Sequence, residues 1–351
     1  MIRFGPSGIP LSCKGRTLRD GIEDVHNLGL TAMEVQLVRV NLNERYATDD
    51  DIGHTVREIP GELVVQIGRR EDRKDVLRSS LTEKIGKGDV LHSLASGIAD
   101  DYAELEELGL LARELDIELS LHTPYYMDLA NADGLAQKSV DSIRWAGMLA
   151  EAMRATTVIT HLGMFGAMDA KPALTAIAKN LRLLRDWYKR NKIRARLGIE
   201  ASGRTEVVGS LEEILGLAKL VKGIVPVLNF AHVHARGFGS LKRPEDFAAV
   251  LSKTKRLSDG HIHAHFSGVE HADGNELRYT PIKKGDLRFE PLAECLLDGD
   301  FDMTIVSSSP LLEHDAMYMK VILERVLAKQ LVRPGKPEKP EKPEREEKRR
   351  P

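Results

Sequence analysis

Polar side chains that could bind a metal ion stand at or near the ends of five apolar stretches of this sequence. The stretches are IELSLH, TTVITH, ARLGIE, PVLNFAHVHAR and HIHAHF, and their polar residues are His122, His161, Glu200, Asn229, His232, His234 and His265. One such histidine is most often a hydrogen-bonded structural residue, but five such endings in one chain favour a shared site. Imidazoles and carboxylates are ligands that zinc, manganese and iron(II) accept. The pattern therefore predicts a metal site where these stretches end together.

Glu200 is the candidate for the catalytic centre. It lies between the imidazole-bearing stretches in chain order, so its carboxylate is placed to bridge two ions that polarise a phosphate and a water. His261 and His263 precede His265 at spacing two, which puts all three on one face of a strand, with only His265 at its far end. His234 stays open between a supporting role and a loop position. The remaining histidines are assigned to helices or loops without a role, and they are His26, His54, His92, His271 and His314.

Strand and helix patterns alternate along most of the chain and must position these residues. Strand-like runs occur at 2–4, 32–38, 117–122, 157–161, 195–200, 224–230, 260–266 and 303–307, and amphipathic helical runs follow them. Repeated strand–helix units indicate a parallel sheet with right-handed crossovers. Eight units, without a glycine-rich phosphate loop, favour a closed α/β barrel of the (β/α)8 type over an open sheet. Reactive groups of such barrels lie at the carboxyl ends of the strands.

Two segments depart from this alternation. Residues 41–97 form a predicted insertion after the second strand, with one short strand at 63–67 and a basic cluster made of Arg69, Arg70, Arg73, Lys74 and Arg78. The cluster is interpreted either as a solvated, partly helical surface or as a phosphate-contacting one. Residues 333–351 are rich in Pro, Lys and Glu and are predicted to be a disordered tail. The barrel domain is therefore assigned to residues 1–330.

The composition limits the functional classes. The 351 residues are 42% hydrophobic and 30% charged, with a formal net charge of −2, which is typical of a globular protein without a global basic field. Two cysteines, Cys13 and Cys295, predict neither a disulfide framework nor a thiolate zinc site. The first residues lack the apolar core of a signal peptide, and no apolar run reaches about 18 residues. A cytoplasmic monomer without membrane contact is expected.

Several motifs together resemble the endonuclease IV family of apurinic/apyrimidinic endonucleases, in its archaeal branch within the xylose isomerase-like TIM barrel superfamily. They are GPSGIPLSCKGRT, LHTPYYMDLAN, THLG, LGIEASGR, FAHVHARGFG, HAHFSGVEH and FEPLAECL, and they span roughly residues 1–330. The resemblance implies a three-zinc enzyme that cuts duplex DNA 5′ to an abasic sugar. It assigns His122, His161 and bridging Glu200 to the first zinc, His265 to the second, His232 to the third, and Tyr125 to the substrate pocket.

The chain departs from that family at four ligand positions. Asn229 stands where the family has an aspartate, Ser308 where it has a glutamate, Tyr279 where it has a histidine and Leu277 where it has an aspartate. Three divalent ions need more negative charge than Glu200 supplies. We therefore expect the first site to persist, the second to be weakened and the third to be lost or rebuilt. Asn229 is a weak ligand, and possible substitutes are Asp273, Glu270 and Glu276.

Three functions follow from this pattern. The first is a metal-dependent phosphodiesterase that acts on abasic or damaged duplex DNA with one or two zinc ions, manganese and iron being alternatives. The second is a catalytically weakened or non-catalytic barrel that binds nucleic acid or a small ligand. The third is a sugar isomerase or epimerase, which needs a second carboxylate where this chain has Ser308. The paired His122 and His161 favour the first function.

Overall fold

The computed structural model describes residues 1–38, 40–131 and 134–332. Its strands are β1 (Ile2–Pro6), β2 (Ala32–Gln36), β3 (Leu42–Tyr46), β4 (Val64–Glu71), β5 (Lys74–Arg78), β6 (Val90–Leu94), β7 (Glu118–His122), β8 (Thr157–Thr160), β9 (Arg196–Glu200), β10 (Ile224–Asn229), β11 (His261–Phe266), β12 (Gly268–Ala272), β13 (Asn275–Thr280) and β14 (Asp302–Ser307). Its helices are α1 (Leu18–Asn27), α2 (Tyr102–Glu114), α3 (Leu135–Ala152), α4 (Ala170–Arg190), α5 (Leu211–Leu220), α6 (Phe230–Arg236), α7 (Pro244–Lys255), α8 (Glu290–Asp298) and α9 (Leu312–Val332).

Eight parallel strands form the barrel that the strand–helix alternation predicted. Their order is β1, β14, β11, β10, β9, β8, β7 and β2, so neighbours in the barrel follow the order of the chain. A parallel bridge between Ser7 and Glu34 joins β1 to β2 and closes the ring. Strands β8 and β10 are buried along their whole length because helices cover the outside of the barrel and side chains fill the inside. The predicted (β/α)8 fold is confirmed.

Local capping signals fix where several helices begin. Ser210 accepts a hydrogen bond from the Glu213 backbone N–H, and the Glu213 carboxylate accepts one from the Ser210 backbone, so a capping box opens α5. Thr17 and Asp20 make the same reciprocal arrangement at α1. Within the described ranges, no helix is both long enough and apolar enough to cross a bilayer.

The insertion after β2 is a small antiparallel sheet with strand order β3, β6, β4 and β5. Our partly helical interpretation of its basic cluster was wrong, because Arg69, Arg70, Lys74 and Arg78 lie on the β4–β5 hairpin and Arg73 lies in its turn. The cluster is also partly neutralised. Arg69 pairs with Asp89 at 2.7 Å, and Arg78 pairs with Glu71 at 2.6 Å. A turn flanked by short strands carried too weak an alternation to predict the sheet.

Two elements near the ends of the barrel strands were not expected. Helix α6 begins directly after β10, where Asn229 is its N-cap and its side chain accepts a hydrogen bond from His232 N–H. The hairpin β12–β13 follows β11 and includes His271, so our placement of that histidine in a loop was wrong. His92, also placed in a helix or loop, lies in β6. The assignment of residues 1–330 to one domain stays a prediction, and the tail at 333–351 lies outside the described residues.

Candidate metal centre

Glu200 lies at the centre of the imidazoles that the sequence singled out. Its Oε2 atom lies 2.9 Å from His122 Nε2 and 3.4 Å from His161 Nδ1. Its Oε1 atom lies 2.8 Å from His265 Nδ1. The parallel strands β7, β8, β9 and β11 deliver these side chains because their carboxyl ends meet at one mouth of the barrel. The structure thus brings three of the predicted histidines together around the Glu200 carboxylate.

Hydrogen bonds to acceptor-only groups fix which imidazole nitrogen is available. His122 Nδ1 donates to the carbonyl oxygen of Thr123 at 2.7 Å, so its proton lies there and Nε2 faces Glu200. His232 Nδ1 donates to the carbonyl of Ala201 at 2.6 Å, which leaves Nε2 facing Glu276 and Tyr279. A metal-binding histidine is commonly held in this way by its other nitrogen.

Burial and neighbouring charges set the protonation of the centre. Burial raises the pKa of Glu200, but His265, His161 and His122 outweigh it and hold that pKa well below its usual range. Burial lowers the pKa of His161 to about 4, so this imidazole is neutral at pH 7. Burial also lowers the pKa of His265, but Glu34 and Glu200 outweigh it and raise that pKa to about 10. Glu200 is therefore an anion beside an imidazole with a free lone pair.

Asn229, the predicted weak ligand, is oriented so that its amide oxygen is not available to bind a metal ion. The oxygen accepts a hydrogen bond from the His232 backbone at 3.2 Å, whereas Nδ2 donates to Glu200 Oε1 at 2.9 Å and to Tyr279 Oη at 2.8 Å. Ligation through the oxygen needs the amide to rotate. In this arrangement Asn229 supports Glu200, and Tyr279 Oη occupies the space beside His232 Nε2 at 2.6 Å.

Among the possible substitutes, Glu276 reaches the site. Its Oε2 lies 2.7 Å from His232 Nε2, and with Glu200 it raises the pKa of His232 above the ordinary value against the opposing effect of burial. Glu270 pairs instead with Arg278 at 2.8 Å on the surface of the hairpin. Asp273 lies in the turn between β12 and β13. His232 therefore has one carboxylate partner, from β13.

Glu34 is the residue that the sequence analysis missed. It is fully buried in β2, and its Oε2 lies 2.8 Å from His265 Nε2 and 3.4 Å from His263 Nε2. Its Oε1 accepts hydrogen bonds from Gln36 at 2.7 Å and from Ser7 at 3.2 Å. The signal that could have found it is a lone carboxylate inside the apolar run TAMEVQL, because an unpaired buried charge is costly. Glu200 is thus not the only buried carboxylate of the centre.

A separate group on α6 and the hairpin contains His234, His271 and Asp286. The Nε2 atoms of the two histidines lie 3.1 and 3.4 Å from Asp286 Oδ1. His234 Nδ1 accepts a hydrogen bond from the Leu241 backbone at 3.1 Å, so its proton lies on Nε2 and is directed at Asp286. That tautomer suits a hydrogen bond and leaves no lone pair for an ion. His234 lies in α6, so the loop position was wrong, and a supporting role at the metal centre stays a prediction.

The centre opens into a cavity of about 850 Å³. Tyr125, Tyr126 and Met164 line its rim with 78%, 45% and 50% of their surface exposed, and Ser308 also lines it. Leu277 is exposed on β13, so the position where the resemblance implies an aspartate faces solvent. The predicted pocket residue Tyr125 is thus placed at the entrance, within reach of a bound molecule.

The donor set fits a divalent transition metal. His122, His161 and Glu200 offer two imidazole nitrogens and one carboxylate oxygen that all lie within 4.8 Å of one another, as do Glu34, His263 and His265. Two histidines and one carboxylate are the ligands of many catalytic zinc and iron(II) sites, which keep an open position for water or substrate. The residues can therefore hold an ion that activates a water or polarises an oxygen of a bound molecule.

Comparisons with known proteins agree with this architecture. A family model described as the xylose isomerase-like TIM barrel matches residues 91–313. An uncharacterized protein of Methanocaldococcus jannaschii is 27% identical over 270 residues, which cover 74% of this chain and 94% of that protein. The residues that the family model matches include β7 to β14. These are all the strands that carry candidate ligands except β2.

Solved structures of different activities share the fold. Endonuclease IV from Thermus thermophilus overlays with a TM-score of 0.56 at 19% identity, covering 92% of this chain and 99% of that chain. An L-ribulose 3-epimerase overlays with a TM-score of 0.56 at 14% identity, covering 97% and 100%. The IolI protein with a bound zinc atom gives 0.50 at 15% identity, covering 64% and 82%. At these identities the overlays establish the fold alone.

Proposed function

This chain belongs to the xylose isomerase-like TIM barrel family, and we propose that it is a metal-dependent phosphodiesterase of the endonuclease IV type that cuts duplex DNA at abasic or damaged sites. The observation that carries the proposal is the contact of Glu200 with three imidazoles at the barrel mouth, two of them on one carboxylate oxygen. An endonuclease and an epimerase overlay equally well, so the choice between them rests on His122 and His161.

The residues of this centre have separable tasks. His122, His161 and Glu200 would hold an ion of the zinc type, and the Thr123 carbonyl keeps His122 in the tautomer that presents Nε2. When bound, such an ion supplies Lewis-acid polarisation of a phosphate oxygen and lowers the pKa of a water. Glu200 stays anionic because the surrounding imidazoles lower its pKa. Asn229 donates to Glu200 Oε1 and so holds the carboxylate in one orientation.

The charge of the cavity makes phosphate binding depend on cations. Five carboxylates line it among the described residues, and they belong to Glu34, Asp128, Glu200, Glu206 and Glu276. The opposing cations include the Arg204 guanidinium and the His265 imidazolium, whose pKa is about 10. A phosphate anion would be repelled by this lining unless bound cations compensate it. The centre therefore attracts metal ions first and phosphate through them, as expected of a metal-dependent phosphodiesterase.

The rim suits a nucleic-acid partner. Tyr125 and Tyr126 expose their rings beside the cavity, in edge-to-face contact with a centroid separation of 5.5 Å. Exposed aromatic rings stack on unpaired bases, and each such contact contributes about 1–3 kcal/mol. An unpaired or missing base leaves the face of a neighbouring base open to this contact. The rim thus supports a damaged duplex over an intact one as the substrate.

The isomerase alternative is less well supported by the site. Two-base proton transfer needs two carboxylates on either side of a sugar carbon. Ser308 lies where the second one is expected, and Glu34 is fully buried with Oε1 and Oε2 both occupied by side-chain partners. At position 308 a sugar in the cavity would therefore meet a hydroxyl in place of the second carboxylate, and Glu34 is no free substitute for it.

Metal content and nicking activity test the proposal together. Purified full chain would be analysed by plasma mass spectrometry and assayed on a duplex oligonucleotide with one abasic analogue. We expect at least one transition-metal ion per chain, and we expect His122→Ala to lose an ion and to lower nicking by about a hundredfold or more. His54→Ala is the matched control, because that imidazole is 55% exposed in the insertion.

Three outcomes would contradict the proposal. Nicking that persists in His122→Ala would place the activity in a contaminant or another site. A metal-loaded chain that binds the abasic duplex without cutting it would favour the non-catalytic alternative. Turnover of free ketoses with no nicking would favour the epimerase alternative, since endonuclease and epimerases share this fold.

A further inference from the structure

A second group of potential ligands lies deeper in the barrel than His122, His161 and Glu200. It consists of Glu34 on β2 with His263 and His265 on β11, and one ligand atom from each lies within 4.8 Å of the others. All three side chains are at most 2% exposed. Glu34 and His265 nevertheless line the open cavity together with Ser7 and Gln36, so water and ions can reach them.

We propose that Glu34, His263 and His265 hold a second divalent ion of the zinc type, in addition to the ion held by His122, His161 and Glu200. This inference rests on the proposed function, since it completes the metal centre of the same active site. The ligand set is again two imidazoles and one carboxylate, which leaves an open position directed to the cavity. The carboxylate comes from β2, although the sequence directed attention to the ends of β10 and β14.

The spacing of the ligand atoms fits an ion. Glu34 Oε2 lies 2.8 Å from His265 Nε2 and 3.4 Å from His263 Nε2. Ligand atoms on a tetrahedral ion with bonds near 2.1 Å lie about 3.4 Å apart. The 3.4 Å contact is too long for a strong hydrogen bond between a charged carboxylate and an imidazole. Small side-chain adjustments would therefore bring all three atoms onto one ion.

The surrounding hydrogen bonds leave the right atoms free. Gln36 Nε2 and Ser7 Oγ both donate to Glu34 Oε1, so Oε2 remains for the imidazoles. His265 Nδ1 donates to Glu200 Oε1 at 2.8 Å, and an ion at Nε2 would displace the second proton, which this imidazolium shares with Glu34. This is the carboxylate–histidine–metal arrangement in which an outer carboxylate orients the ligand. Glu200 would thus support the second ion through Oε1 while binding the first through Oε2.

His263 provides an independent observation. Its Nδ1 atom is buried without a hydrogen-bond partner among the described residues, and its Nε2 contacts Glu34. A fully buried imidazole with one weak contact is not explained by packing alone, because buried polar groups are normally satisfied. A metal bond at Nε2 would replace that weak contact with a strong one and would place the ring proton on Nδ1. The negative charge of Glu34 would then offset the ion where Asn229 and Ser308 offer none.

The experiment compares metal stoichiometry in the full chain and two variants. We expect two equivalents of zinc in the wild type and one in Glu34→Gln, which keeps the size of the side chain but removes its charge. Glu206→Gln, at the rim of the same cavity and 59% exposed, is the matched control and should keep two. Cobalt(II) substitution adds a spectroscopic readout, since Glu34→Gln should lose about half of the visible absorption.

Anomalous diffraction at the zinc edge locates the ions without any variant. Peaks beside both Glu34 and His122 support the inference, whereas a peak beside His122 alone, or two equivalents retained in Glu34→Gln, overturns it. The experiments can reject the proposed function without rejecting the second metal site. Two ions bound as described, with no nicking of the abasic duplex, would sustain the second site and reject the phosphodiesterase.

Discussion

Individual protons decide what the candidate site can bind. Thr123 and Ala201 present backbone carbonyls that hold the Nδ1 protons of His122 and His232, and so each imidazole directs Nε2 toward a carboxylate. His234 has the opposite arrangement, because the Leu241 N–H donates to its Nδ1. The same residue type is therefore a candidate ligand in one place and a hydrogen-bond donor in another. Backbone polarity makes the difference, and it is not visible in a list of histidines.

Asn229→Asp tests the missing carboxylate at the residue scale. Asp would place a second anion within about 3 Å of Glu200 Oε1, where Asn229 Nδ2 now donates at 2.9 Å. We expect the metal-free variant to be less stable, because like charges repel in a buried site. We expect its zinc affinity to rise roughly tenfold, since more anionic ligands bind a cation more tightly. Competition with a chelating dye measures the affinity, and thermal unfolding in chelator measures the stability.

Asn43→Asp is the control for that substitution. Asn43 is exposed on β3 of the insertion, so the same change in charge should alter neither the zinc affinity nor the melting temperature in chelator. Equal zinc affinity in Asn229→Asp and the wild type would show that position 229 does not face the ion.

At the scale of elements, short additions to the barrel supply contacts that barrel strands alone do not. Helix α6 turns the chain back directly after β10, so His232 faces Glu276 and Tyr279 on the β12–β13 hairpin. The hairpin therefore supplies His232 with a carboxylate and a phenol as partners. The insertion sheet between β2 and α2 is held by its own ion pairs, in which Arg45 contacts Asp51 and Glu62 at 2.5 and 2.6 Å.

Asp51→Asn tests the insertion through its pH dependence. Arg45 and Thr48 lower the pKa of Asp51 against the effect of burial, so its charge stabilises the fold. A lowered folded pKa means that this stability is present above the unfolded pKa and is lost as the pH falls through the folded value. We expect the variant to lose about 2 kcal/mol near neutral pH, and we expect this difference to shrink progressively as the pH falls below about 5.

Urea unfolding of both proteins at several pH values measures that difference. Glu71→Gln is the control, since its ion pair with Arg78 is more than one-third exposed on both sides and contributes little. A difference between wild type and Asp51→Asn that stays constant with pH would mean that Asp51 is not charged in the folded protein.

At the scale of the whole molecule, the stagger of the barrel decides which residues meet. Ser7 lies beyond the end of β1, yet it is level with Glu34 in the middle of β2. Glu34 in turn reaches His265, the next-to-last residue of β11. Strands in a closed barrel are tilted and shifted along one another, so residues at different positions in their strands share a layer. This shift brings Glu34 into the centre.

Gly5→Ala tests the closure of the barrel. A Cβ at Gly5 would lie 1.7 Å from the carbonyl oxygen of Ala32, so β1 and β2 could not approach as they do. We expect a loss of at least about 3 kcal/mol in the free energy of unfolding, or no folded protein. Gly216→Ala is the matched control in α5, where a Cβ meets nothing within 4 Å, and it should gain up to about 1 kcal/mol.

Circular dichroism during urea unfolding measures the free energy of unfolding of both variants and of the wild type. Equal stability of Gly5→Ala and the wild type would contradict the close approach of β1 and β2. A destabilised Gly216→Ala would show that the comparison reflects glycine replacement in general.

The sequence by itself determined the barrel and most of the candidate ligands. Apolar runs of strand length alternating with amphipathic helices define eight strand–helix units, and parallel strands of such a barrel bring their carboxyl ends together. His122, His161, Glu200 and His265 could be identified for that reason, since each stands at or near such an end. The capping box at Ser210 is likewise local, because it depends on neighbouring residues alone.

Only the tertiary structure decided the rest. Glu34 lies inside its strand, and its approach to His265, 231 residues further along the chain, depends on the stagger between their strands. The partners of His232 come from a hairpin whose short strands gave no clear alternation, and the orientation of Asn229 is set by a helix that begins at the next residue. Local sequence patterns indicate which face of a strand or helix a side chain lies on. Strand register, histidine tautomer and long-range pairing arise from the packing of distant elements.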